Sequence, residues 1–314
     1  MSTLAAGTRA REIVKSRWFH LATQLVLGGA VLIAVVATVG AGPFLHGVQS
    51  LTIRSVGAAL LLGAVSIAAS AWRWKQVAGR LGAGLRWSTA VGMYYRSQFL
   101  NSVLPLGVIG DAHRAVAHGR STQGIGRASR AVVIERSAGQ VVQVTLALIV
   151  LAFFGLEFEG FVLAALVLGL AALVVAVAVA AAASVRVRRA LRHEADELRA
   201  GLGTPAAFAR VALASAIVVA CHVACFAIAT KAVGASVPAP RMLAIALIVL
   251  LAASIPLNVG GWGPREGMAG WAFALAGFGA SAGIAASTLF GILSIISVAP
   301  GALVMMIHRK EEAS

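Results

Sequence analysis

Acidic residues are scarce in this chain, with 11 Asp and Glu against 26 Lys and Arg in 314 residues. Charge of either sign makes up only 12% of the sequence, whereas a soluble globular domain carries roughly 25%. Two-residue alternation of apolar and polar positions is also missing. The apolar runs are long and rich in Ala, Leu and Val, which excludes both a soluble α/β domain and a transmembrane β-barrel. Cysteine is limited to Cys221 and Cys225, one helical turn apart inside an apolar run. Neighbours on one helix face rarely have disulfide geometry, so they read as packing residues. His222 lies between them, but a metal site needs more converging ligands than these. No small-residue cleavage site follows the first apolar run, which therefore reads as a signal-anchor helix rather than a removed signal peptide.

What the chain has is hydrophobicity at membrane-spanning length. Hydrophobic residues are 60% of it and the mean hydropathy is +0.90, which predicts an all-α polytopic membrane protein. The net charge of +15 does not point to nucleic acid. The bases flank apolar runs, where the cytoplasmic borders of membrane helices carry them. Arg9, Arg11, Lys15 and Arg17 precede the first run, His20 to Gly40, and place the N-terminus in the cytoplasm. The second run ends in an aromatic and basic inner border of Trp72, Arg73, Trp74, Lys75, Arg80 and Arg86. Ala131–Phe154, Phe161–Ala183, Ala206–Thr230 and Ser287–Ile307 are the remaining predicted spans. His308, Arg309 and Lys310 mark a cytoplasmic C-terminus.

Two regions resist this scheme. Trp87–Arg130 is apolar in its middle but broken by Arg96, Asn101 and Pro105. If it crossed, Arg114, Arg120, Arg127 and Arg130 would lie outside, against the positive-inside rule. A re-entrant hairpin from the cytoplasm removes the conflict, because non-helical backbone at membrane depth is tolerated where protein or a wet cavity covers it. Met242–Phe278 is broken in the same way. The stretch Ser254–Glu266 echoes Asn101–Arg114 in its order of Ser, Pro-Leu, Val, Gly and a charged end. If this second hairpin enters from outside, only Arg54, Lys231 and Arg241 of the 26 bases, apart from Arg265 in the hairpin, face outward. The prediction is one integral membrane domain over 1–314, with six transmembrane helices, two re-entrant hairpins and an inverted repeat of residues 18–155 and 160–307. Broken segments in corresponding halves point to a transport site at the midplane; chance similarity of two Pro-Gly breaks is the alternative.

Only three of the 11 acids lie at membrane depth: Asp111, Glu135 and Glu266. Each has a base close in sequence, namely Arg114, Arg136 and Arg265. A charge in hydrocarbon costs roughly 2.5–3.5 kcal/mol even on insertion scales, so such residues are normally paired and functional. The plainer reading is that the pairs staple hairpins to the bundle. Arg136, Gln140 and Gln143 share one helical face, expected to point into the bundle. Arginine forks, helix N-termini and glycine turns together suit a phosphate. Arg96, Arg114, Arg136 and Arg265 near Gly107, Gly110, Gly260, Gly261 and Gly263 therefore form the candidate headgroup site, with Pro105 and Pro256 ending the half-helices. Those glycines would equally serve helix packing. The run Arg186, Arg188, Arg189, Arg192 and Arg199 reads as a solvated face or an anionic-lipid contact.

The order Asn-x-x-x-Pro-x-x-x-x-Gly-Asp-x-x-Arg, then Glu-Arg at the head of a span, then Pro-x-x-x-Gly-Gly-x-Gly-x-Arg-Glu resembles the lysylphosphatidylglycerol synthase transmembrane-domain family. This is the flippase-like membrane portion of the bacterial multiple peptide resistance factor. The residues that carry the resemblance are Asn101, Pro105, Gly110, Asp111 and Arg114; Glu135 and Arg136; and Pro256, Gly260, Gly261, Gly263, Arg265 and Glu266. Ile109 departs from the pattern, standing where the family usually has the first glycine of a Gly-Gly-Asp. The resemblance implies a lipid flippase of the cytoplasmic membrane, working on an anionic phospholipid or a polyprenyl-phosphate-linked intermediate. No aminoacyltransferase domain fits in the sequence, so lysyl-lipid synthesis is not expected of this chain alone, and no cofactor or metal is expected. The alternatives are a membrane-embedded polyprenyl-phosphate-dependent glycosyltransferase, whose best acids would be Glu157 and Glu159, and a non-transporting partner of a separate synthase or glycosyltransferase.

Overall fold

The computed structural model describes residues 40–104, 107–122, 124–154, 184–254 and 263–311, with single positions at 33–37 and 160–182. Among the described residues the regular structure is all helical. A short helix α1 (Gly42–Gln49) leads into α2 (Ile53–Arg80), α3 (Trp87–Val103), α4 (Ile109–Ser121) and α5 (Ile125–Phe154). After the described gap come α6 (Val185–Leu202), α7 (Pro205–Ala232), α8 (Ala239–Ala253), α9 (Pro264–Leu275), α10 (Ala280–Val298) and α11 (Pro300–Glu311).

Among the described residues, four helices are long and apolar enough to cross a membrane: Ile53–Arg80, Ile125–Phe153, Pro205–Ala232 and Ala280–Met306. The 28 residues of α2 reach roughly 42 Å at 1.5 Å per residue, more than the roughly 30 Å of hydrocarbon. These correspond to four of the six expected spans. The other two, His20–Gly40 and Phe161–Ala183, lie outside the described residues apart from single positions.

Caps set where the long helices begin. Thr52 Oγ1 accepts from Ser55 N at 3.2 Å while Ser55 Oγ accepts from Thr52 N at 3.0 Å, a reciprocal box that satisfies two orphan donors. Thr204 caps α7 by accepting from Ala207 N at 3.3 Å, with Pro205 at a position where its missing N–H costs nothing. α2 and α7 form the most extensive helix pair. Small buried residues, Ala59, Ala71 and Ala78 on one and Ala207, Ala214 and Ala229 on the other, let their backbones approach closely, which is how helices associate where lipid is as apolar as leucine.

Each region expected to be broken is a helix, a break and a shorter helix. α3 and α4 pack against one another across residues 104–108, and α8 and α9 pack across 254–263. α4 then lies on α5 and α9 on α10, so each broken pair is backed by the long helix that follows it. α10 also touches α1, α2, α3 and α7, which puts it between the two broken pairs. Pro105, Pro256, Gly260 and Gly261 lie outside the described residues.

Candidate functional site

Two groups of buried charge sit at the two breaks. The first is built on Glu135 of α5, which is fully buried. Its Oε1 accepts from Arg73 Nε at 2.8 Å and from Tyr94 Oη at 3.1 Å, and its Oε2 accepts from Arg114 Nη2 at 3.1 Å. Arg114 also reaches Asp111 Oδ1 at 2.9 Å. Its guanidinium carbon lies 4.5 Å from the Trp74 ring centroid and 4.3 Å from that of Tyr94, so the ring faces stabilise the cation where it lacks hydrogen bonds. Asp111 is held further by Ser97 Oγ at 3.0 Å, Asn101 Nδ2 at 3.1 Å and Arg136 Nη2 at 2.6 Å. One carboxylate with two guanidiniums and a phenol is the satisfied form of a buried charge; removing one partner of such a set costs about 3–5 kcal/mol.

The second group is smaller. Arg265 donates to Glu266 Oε1 from Nε at 2.9 Å and from Nη2 at 2.6 Å, and Nε also reaches Ser287 Oγ at 3.1 Å. Glu266 Oε2 accepts from Gly263 N at 2.7 Å, closing the first turn of α9. Gly263 has φ +116°, a conformation open to glycine and strained for other residues. Asp111 and Glu266 each occupy the third helical position after their break, where the positive end of the helix dipole favours an anion.

Two of the buried arginines, Arg73 and Arg265, each rest on a glycine. A Cβ on Gly139 would come within 2.7 Å of Arg73 Nη1, and one on Gly291 within 2.2 Å of Arg265 Nη2. Gly139 stands one turn beyond Glu135 on α5, as Gly291 stands one turn beyond Ser287 on α10. Gly110 is tighter still: its N–H donates to Asn101 Oδ1 at 2.7 Å, and a Cβ there would lie 1.9 Å from Ser97 O. The close approach in this motif is therefore made at Gly110. Ile109, the departure from the family pattern, is simply the first residue of α4.

The two groups border two adjoining cavities. A cavity of about 620 Å³ is lined by Arg73, Asp111, Arg136, Gln140, Gln143 and Ser254 among others. A second, of about 250 Å³, is lined by Asn101, Cys221, Cys225 and Arg265 among others. Gly107 of the first break lines both, Ser254 at the second break lines the larger, and Gln143 Nε2 donates to Ser254 Oγ at 3.4 Å. The expected inward face of Arg136, Gln140 and Gln143 is the wall of the larger cavity. Of the three clustered arginines, Arg136 is the most open: its side chain is 38% exposed, against 6% for Arg73 and 0% for Arg114.

Several expectations are corrected. Asp111–Arg114 and Glu266–Arg265 are ion pairs, but Glu135 pairs with Arg73 and Arg114, while its sequence neighbour Arg136 turns to Asp111. Arg73 is not part of an exposed border, being 5% exposed with Trp74 fully buried beside it. The signal was present, since Ser66, Ser70 and Arg73 fall on one face of an otherwise apolar helix, as do Tyr94, Ser97, Gln98 and Asn101 on α3. Arg96 lines neither cavity; two residues on from Tyr94, it points away from that face. Glu157 and Glu159 lie outside the described residues.

A family described as "Lysylphosphatidylglycerol synthase TM region" matches residues 21–301. The match spans both charge groups and nearly the whole chain. No curated protein matches the sequence. With its apolar spans and this match, the chain belongs to that family and is a multi-pass membrane protein.

Proposed function

We propose that this member of the lysylphosphatidylglycerol synthase TM-region family moves a phosphate-bearing lipid headgroup across the membrane, through the cavity between its two broken helix pairs. The observation that carries the reading is Arg136. It is the most open arginine of the cluster in the wall of the larger cavity, and its Nε is buried without a partner among the described residues. A buried donor on a cation, beside a space of headgroup size, suits a phosphodiester oxygen. Charge balance agrees. Arg73, Arg114 and Arg136 outnumber Asp111 and Glu135 by one positive charge, while Arg265 and Glu266 offset one another.

In this reading the broken pairs are re-entrant and form an inverted repeat, one entering from each side, with both termini in the cytoplasm and the cytoplasmic membrane as the location. The matching third-position acids and the matching glycine seats for Arg73 and Arg265 support that symmetry. Acyl or prenyl tails stay in lipid while the headgroup passes Arg136 and Arg265. The partner is an anionic phospholipid or a polyprenyl-phosphate-linked lipid, and no catalytic residue is assigned.

The test is reconstitution of the full chain into vesicles carrying an acyl-labelled phosphatidylglycerol or a labelled polyprenyl phosphate, with an impermeant quencher added outside. Loss of inner-leaflet protection, abolished by Arg136→Gln in folded protein, is the expected result. Unchanged protection for both lipids with folded wild-type protein rejects the reading.

A further inference from the structure

The two cavities share Gln98, Gly107, His222, Phe290 and Ser294. These five form the junction between the space beside Arg136 and the space beside Arg265. His222 is the one titratable side chain among them, and none of the contacts described above uses it. Its Nδ1 lies 2.7 Å from Val218 O, one turn back on α7. A carbonyl oxygen can only accept, so Nδ1 carries the hydrogen. In the neutral ring Nε2 is then a lone pair, and it makes no hydrogen bond among the described residues.

That tautomer has a chemical consequence. A phosphodiester oxygen is also a lone-pair acceptor, so it is repelled by neutral Nε2 and attracted only when Nε2 carries a proton. We infer that His222 couples passage of an anionic headgroup through the junction to uptake of one proton, Nε2–H then donating to the phosphodiester; this rests on the proposed headgroup reading of the cavity.

The surroundings give the coupling its sign. Facing the two cavities are Arg73 from α2, Tyr94 from α3, Asp111 from α4, Arg136 from α5 and Arg265 from α9, with Cys221 and Cys225 on α7 itself. α8 and α10 contribute Leu250, Ala253, Ser254, Phe290, Gly291, Ser294 and their neighbours, none of them charged, and α6 contributes nothing to the lining. With the carboxylates that pair with them, Arg73, Arg114, Arg136 and Arg265 exceed Asp111, Glu135 and Glu266 by one positive charge, which opposes a further positive charge in the empty site. An arriving monoanion cancels that excess, so headgroup and proton bind together. Rising pH removes the proton that Nε2 must donate, so anion affinity falls as pH rises.

The test is calorimetric titration of the detergent-solubilised full chain with dioctanoyl phosphatidylglycerol, at about pH 7.5, in two buffers of different ionisation enthalpy. The buffer dependence reads protons taken up per lipid bound. About one proton is expected for wild type, and none for His222→Gln, with His222→Asn as the second variant if the first does not fold; an unfolding scan identifies the folded variant. Wild-type binding without proton uptake, or with affinity flat between about pH 6 and 8, overturns the inference and leaves the headgroup reading standing. Undiminished uptake in a folded variant overturns it as well. Absence of any lipid binding by folded wild type overturns both.

Discussion

Arg73 of α2 and Glu135 of α5, 62 residues apart in sequence, form a buried ion pair in which Nε and Nη2 both donate to Oε1. The pair ties the first long span to the helix that backs the first break. Ser215 of α7 accepts from Arg73 Nη1 at 2.8 Å, so three long helices meet at one guanidinium. The pair therefore fixes the wall on which Arg136 is mounted.

Removing that guanidinium leaves Glu135 with less compensation in a dry site. Arg73→Met is expected to cost about 3–5 kcal/mol, read as a lowered thermal unfolding midpoint in detergent. Because Arg114 still holds Oε2, combining it with Glu135→Gln should cost less than the sum of the two single changes. Strict additivity would show that the pair is not coupled.

Glycine seats give a sharper contrast. Gly139→Ala and Gly291→Ala push a methyl into Arg73 and Arg265 and should each destabilise by about 1–3 kcal/mol, as overpacking does. Gly57→Ala on α2, where a Cβ meets nothing within 4 Å, should instead gain about 0.5–1 kcal/mol from helix propensity. Equal midpoints for all three would contradict the seating.

Gly110→Ala places Cβ against the backbone oxygen of Ser97, which cannot swing away as a side chain can. The expected outcome is separation of α3 from α4, seen as new protease cleavage between residues 98 and 110 and loss of the folded monodisperse species. A variant that stays resistant would mean the helices are further apart than described.

Much of this architecture was legible in the sequence, and the reason is physical. Lipid forces long apolar runs and paired charges, so the four described spans, the two breaks and the pairs Asp111–Arg114 and Arg265–Glu266 all follow from linear patterns. Glu135 was legible as a buried acid but not its partners, because those come from α2 and α4 and only folding brings them together. Arg73 was hidden by its neighbours: between Trp72, Trp74 and Lys75 it looks like an interfacial residue. Arg96 failed in the opposite sense, since a charge inside a broken apolar stretch looks functional until the helix face is known.

Arg136→Gln should lower lipid translocation by about tenfold or more, the equivalent of about 1.4 kcal/mol, at little cost in stability because its side chain is partly open. Arg96→Gln, outside both cavities, should leave translocation unchanged. Parallel losses at both positions would remove the special role given to Arg136.

Whether a lipid headgroup enters the cavity can be read from one residue on its wall. Gln140→Cys, with Cys221 and Cys225 replaced by serine, places a single thiol in the larger cavity. The measurement is its reaction rate with a charged, water-soluble thiol reagent, with and without dioctanoyl phosphatidylglycerol. The account predicts a reactive thiol whose labelling slows several-fold as lipid is added, while Arg96→Cys in the same background is unaffected. A thiol that reacts at the same rate with and without lipid would contradict it.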